Sequence, residues 1–144
     1  MKKSIFAIAI LVGLFVAAVA GPAQAQQSFR VQVPFAFVAD RATLPAGEYV
    51  IQRQANGGLA LLILSKNSGP SAIVMTNAMQ SKDWQPETCL VFHRYGNRYF
   101  LAQVWTAGDR RGREIYKSPA EKELAKNETR SEVTLLALLS SAKQ

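Results

Sequence analysis

The sequence predicts an all-β, mainly antiparallel domain, a small barrel or sandwich of six or seven strands with one α-helix near its C-terminal end. Three observations predict it: large apolar residues alternate with period two, turn chemistry recurs at short intervals, and Ser118-Pro119-Ala120-Glu121 alone has the character of a helix start.

Ahead of that domain, Lys2 and Lys3 precede an apolar run from Ile5 to Ala20, and Ala23-Gln24-Ala25 supplies small residues at a cleavage position. This is the layout of a secretory signal peptide, and the run is shorter than the roughly 20 residues of a spanning helix. Residues 1–25 are expected to be the signal and 26–144 a single domain, beginning at Gln26 and exported to the periplasm or beyond. The 119 residues left from 144 suffice for one core.

The first strand is expected at Phe29, Val31, Val33, Phe35 and Phe37, whose alternation is broken in hydrogen bonding by Pro34, so that it lies at an edge or carries a bulge. Leu44-Pro45-Ala46-Gly47 is a turn leading into Glu48 to Gln52. Asn56-Gly57-Gly58 is a second turn, and Leu59 to Leu64, apolar on both faces, is expected to be a central strand. Asn67 to Pro70 is turn chemistry before a fourth strand around Ile73, Val74 and Met75. Up to here the order is that of a meander.

Asn77 to Glu87 reads as a long loop carrying Trp84, either a binding lid or, the favoured reading, a loop that folds that ring back over an exposed edge of the core. After it, Thr88 to Tyr95 and Arg98 to Trp105 flank Gly96-Asn97, the strongest hairpin signal in the chain. The expected register sets Tyr95 against Arg98, His93 against Phe100, Val91 against Ala102 and Cys89 against Val104, at the centre of the sheet. Thr106 to Arg113 reads as a basic loop. Ser118 as N-cap, Pro119 at the first helical position and Glu121 three residues after the cap start a helix to about Arg130. Val133 to Leu139 is either a strand or the apolar part of a helix, with Val133 and Thr134 favouring a closing strand.

The chain resembles a family of small exported proteins of acidobacterial type that carry no assigned function. The resemblance rests on Val33-Pro34-Phe35-Ala36-Phe37, Leu44-Pro45-Ala46-Gly47-Glu48-Tyr49, Leu90 to Gly96, Tyr99-Phe100-Leu101 with Val104-Trp105, and Lys117-Ser118 with Glu121 to Ala125. It implies export and a shared fold, and brings no activity or ligand.

The chemistry-bearing residues are few. Cys89 and His93 are the single cysteine and the single histidine; four residues apart on a strand, their Cα atoms lie about 13 Å from one another, too far for a thiol-imidazole pair. No disulfide forms within one chain, no nitrogen and sulfur metal centre is expected, and the acidic residues are scattered. No phosphate-binding glycine loop opens a helix. No cofactor and no catalytic set are therefore expected.

Charge is the sharper clue. Without Lys2 and Lys3 the 17 basic and 10 acidic residues become 15 and 10, a net +5. Most of it lies between Arg94 and Lys117. Arg94, Arg98, Arg110, Arg111 and Arg113 are the candidate contacts to an anionic ligand, with Tyr95 and Tyr99 able to stack on it. The competing reading makes those arginines a rim that pairs with helix carboxylates such as Glu121 or Glu123. The partners that fit are an anionic polysaccharide, lipid head groups or another protein, not nucleic acid. The expected function is a non-catalytic binding or structural module of the envelope; the alternative is a small periplasmic hydrolase or isomerase.

Overall fold

The computed structural model describes residues 28–53 and 59–138. The expected signal segment and the Asn56-Gly57-Gly58 turn lie outside the described residues. The ten strands are β1 (Ser28–Val33), β2 (Phe37–Ala39), β3 (Ala42–Leu44), β4 (Gly47–Arg53), β5 (Ala60–Ser65), β6 (Ala72–Gln80), β7 (Cys89–Tyr95), β8 (Arg98–Trp105), β9 (Arg111–Ile115) and β10 (Arg130–Leu136), with helix α1 (Pro119–Asn127) before the last. Every strand pair is antiparallel except β2 with β8.

Ten strands stand where six or seven are expected, for local reasons. Pro34 does not merely weaken the first strand; it ends β1 after Val33, and the chain then turns from its ladder with β4 to a new one, where Val38 pairs with Phe100 of β8. Asp40, at φ 53°, closes a short β2–β3 hairpin. β6 continues to Gln80, so the first four residues of the expected long loop are strand. β9 occupies the end of the expected basic loop and pairs with both β6 and β8. The helix begins as expected, with the Glu121 N–H donating to Ser118 Oγ at 3.2 Å, and the closing segment is a strand.

The strand order is not a meander throughout. From β6 the chain crosses to β7, returns through β8 and β9, and sets β9 beside β6. That is Greek-key connectivity, three hairpin-linked strands with a fourth beside the last. A second crossing, from β9 to β10, carries α1, and β10 then pairs with β7. Among the described residues the sheet is open: β1 and the segment after β10 meet through one bridge, Arg30 with Leu138, where the Leu138 N–H donates to the Arg30 carbonyl at 2.8 Å.

Alternation sorts the side chains into two faces. Val31, Val33, Tyr49, Ile51, Leu61, Ile63, Val74, Leu90, Phe92, Val104 and Ile115 make the main core. Burying such side chains is worth about 1.5–3 kcal/mol each, the principal force holding the sheet. Phe35 lies flat against Tyr99 at 3.8 Å between ring centroids and meets Phe92 edge-on, which plugs the core beside the β7–β8 turn.

On the other face of the β7–β8 hairpin, Cys89, Val91 and Trp105 form a second, smaller cluster. The expected register holds from Tyr95 to His93 and then slips by a β-bulge, so that Val91 meets Gln103 and Cys89 meets Trp105. The bulge returns Val104 to the core face opposite Leu90. Trp105 lies on Gly112, where an added Cβ would stand 2.6 Å from its ring. Glycine at that position is what admits the indole.

Candidate functional site

The two ends of the sheet differ in chemistry. One carries the Gly96-Asn97 turn. The other, here the loop end, brings together the start of β1, the end of β4, the segment 81–88 and the segment 106–110.

At the loop end the two crossing segments are fastened by backbone bonds. Ser81 N–H donates to Arg110 O at 2.7 Å, Gly108 N–H to Gln85 O at 2.9 Å and Gln85 N–H to Asp109 O at 3.1 Å. Thr88 Oγ1 accepts from Ala107 N–H at 3.0 Å. Gly108, at φ +73°, makes the turn that lets the strands of this clasp meet. The rim is thus built before any ligand arrives, which lowers the ordering cost of binding.

Hollows open on both sides of the clasp. A groove of about 570 Å³ is lined by Ser28, Phe29, Pro86, Thr88, Leu136 and Leu138 among others. A smaller hollow shares Ser28, Phe29 and Thr88 with it and adds Arg53 and Thr106. A third, of about 460 Å³, lies between Trp84, Asp109, Arg110 and Arg111. The Trp84 ring is not folded over a core edge as expected; it is 67% exposed, at the lip of the third hollow.

The candidate arginines separate between the two ends. Arg94 and Arg98 are at the turn, where each is committed to its own hairpin. Arg94 Nε donates to Gly96 O at 2.8 Å and its guanidinium lies 5.5 Å from the Tyr99 ring centre, while that of Arg98 lies 5.3 Å from Phe100. Tyr95 and Tyr99 are not presented to a ligand: Tyr95 is buried and Tyr99 stacks on Phe35.

Arg110, Arg111 and Arg113 are at the loop end. Arg110 Nε reaches Ser81 O at 3.4 Å, and Arg111 pairs with Asp109 through Nε at 3.5 Å. The Arg111 backbone N–H, donating at 2.9 Å, is the main reason that the Asp109 carboxyl is held below its usual range. Arg113 is half-buried and lies on the same side of β9 as core residue Ile115.

Arg53 is the residue that sequence reasoning passes over. It ends β4 on the same side as Tyr49 and Ile51 and pairs with buried Leu61. The alternation Tyr49, Ile51, Arg53 was the available signal. Burial holds the Arg113 guanidinium below its ordinary value, and the nearby charges of Arg53 and Arg111 add to the effect. Arg53, Arg111 and Arg113 thus lie close enough at one end for the first two charges to act on the third.

A second buried polar group lies under α1. His93 Nδ1 is 2.7 Å from Glu121 Oε1, to which Tyr95 Oη also donates at 3.2 Å. The helix carboxylate is paired with the histidine rather than with an arginine, and Glu123 pairs with Lys126 at 3.2 Å. His93 Nε2 faces Glu132 at 3.8 Å, not a nucleophile, so the cluster is a polar fastening for the helix. Among the described residues no group of acidic, histidine and cysteine side chains is placed to hold a metal ion, and no helix is long and apolar enough to cross a membrane.

Comparison with family models, with curated proteins and with solved structures finds no match. The functional reading therefore rests on the geometry of the chain itself.

Proposed function

We propose that this protein is an exported, non-catalytic binding module of the envelope whose anionic ligand enters at the loop end. In this reading the sheet is a small barrel left open along the β1 and β10 edges, and the chain that reaches the envelope begins at Gln26. The observation that carries it is the presence of Arg53, Arg110 and Arg111 on the walls of preformed hollows at one end, with Arg113 close enough to feel the charges of Arg53 and Arg111. Clefts with a few convergent polar groups are where ligands bind. The turn-end pair, Arg94 and Arg98, contributes less because both guanidinium groups lie over rings of their own hairpin.

The test separates the two ends. Replacing Arg110, Arg111 and Arg113 by alanine should abolish retention on acidic polysaccharide or anionic vesicles at low salt, whereas replacing Arg94 and Arg98 should leave most of it. Retention by the unaltered protein should fall steeply with added salt, since the Debye length shortens to about 8 Å at physiological ionic strength. Undiminished retention in the triple variant overturns the reading.

A further inference from the structure

We propose that the ligand is a single-chain anionic amphiphile, its carboxylate or phosphate head held at Arg53, with Arg113 near by, and its hydrocarbon chain laid along the groove of Phe29, Pro86, Leu136 and Leu138. The inference rests on the reading above and names its ligand class.

Charge and apolar surface meet here in one continuous depression. The hollow that contains Arg53 shares Ser28, Phe29 and Thr88 with the 570 Å³ groove, so a molecule with its head at Arg53 has its next atoms against Phe29. The hydroxyls of Thr88 and Thr106 stand at that junction. Arg113 lies one layer below the rim, opposite Val104 and Ala78. Carboxylate and phosphate both fit the planar fork of arginine, and partial removal from water strengthens the pairing.

The chain site is argued from what is left exposed. Leu136 is 54% and Leu138 42% exposed, side by side on the groove wall, although β10 has inward positions filled by Val133 and Leu135. A polysaccharide offers no hydrocarbon to cover them; an alkyl chain does. The groove volume falls within the range of about 300–1,000 Å³ usual for small-molecule sites. Among the acids lining these hollows, Glu87 lies on the wall of the large groove, and Asp109, in the third hollow with Arg110 and Arg111, is paired with Arg111.

Calorimetric titration of the exported chain with octanoate, decanoate and dodecanoate, each below its micelle threshold, tests the assignment. Affinity should rise roughly three- to tenfold with each added pair of methylenes, from a burial gain of up to about 0.8 kcal/mol per methylene. Dodecyl phosphate should bind comparably, while acetate and inorganic phosphate bind far more weakly. Arg53→Gln with Arg113→Gln should weaken dodecanoate at least tenfold. Leu136→Ser with Leu138→Ser, at exposed positions that leave the core intact, should flatten the chain-length series even if the arginine variant fails to fold. Equal affinity for acetate and dodecanoate, or equal binding of neutral dodecyl maltoside, overturns the amphiphile. Retention on acidic polysaccharide without any chain-length trend overturns it while leaving the anion-binding end in place; absence of both removes the underlying reading as well.

Discussion

Cys89 packs against Val91 and Trp105 on the helix side of the hairpin. Burial raises its thiol above the ordinary value of 9.0, and the charge of Glu87 raises it further. The thiolate is the nucleophile, so labelling of the folded protein by a disulfide reagent at neutral pH should be slow and become fast in denaturant. Rapid labelling without denaturant would show that the hairpin faces are wrongly assigned. The linked effect on stability has a definite sign: with the native value raised, the contribution is present below the unfolded thiol's pKa and is lost as pH climbs through the native one. The sequence made the burial of Cys89 legible and misplaced its partner. The bulge at Val91 and Phe92 that exchanges Val104 for Trp105 has no marker in composition, because its cause is the fit of the Trp105 ring over Gly112 from another strand.

Helix α1 shows how an element with little apolar surface is held. Of its residues only Glu121 is buried, with Leu124 half-covered, so its attachment depends on one carboxylate accepting from Tyr95 and bonded to His93. Glu121→Ala should destabilise the protein by about 3 kcal/mol, since breaking a buried polar pair strands the partner that remains. Glu123→Ala, which breaks an exposed pair, should leave the thermal midpoint almost unchanged. Equal effects in the two melting curves would show that the buried pair does not anchor the helix. The start of α1 could be read from Ser118-Pro119-Ala120-Glu121 because capping is local. The destination of the Glu121 side chain could not, since it depends on the crossing that lays α1 over β7. β9 was hidden for a related reason: Arg111-Gly112-Arg113-Glu114 shows no apolar alternation, its covered positions being a glycine under an indole and a half-buried arginine on the core side.

For the whole molecule, the uneven joining of the sheet predicts uneven protection. β7 is paired along its length on both sides, by β8 and by β10, whereas among the described residues β1 and the segment after β10 share a single bridge. Amide exchange measured by mass spectrometry should therefore be slowest over Leu90 to His93 and faster at the Leu138 amide of the Arg30–Leu138 bridge. Uniform protection around the sheet would mean that this junction is stronger than one bridge provides. A sheet whose last two strands are laced along their whole length has a fixed girth. Among the described residues one stitch joins them here, and it lies beside the groove, so widening the opening at that point would break one hydrogen bond and no ladder.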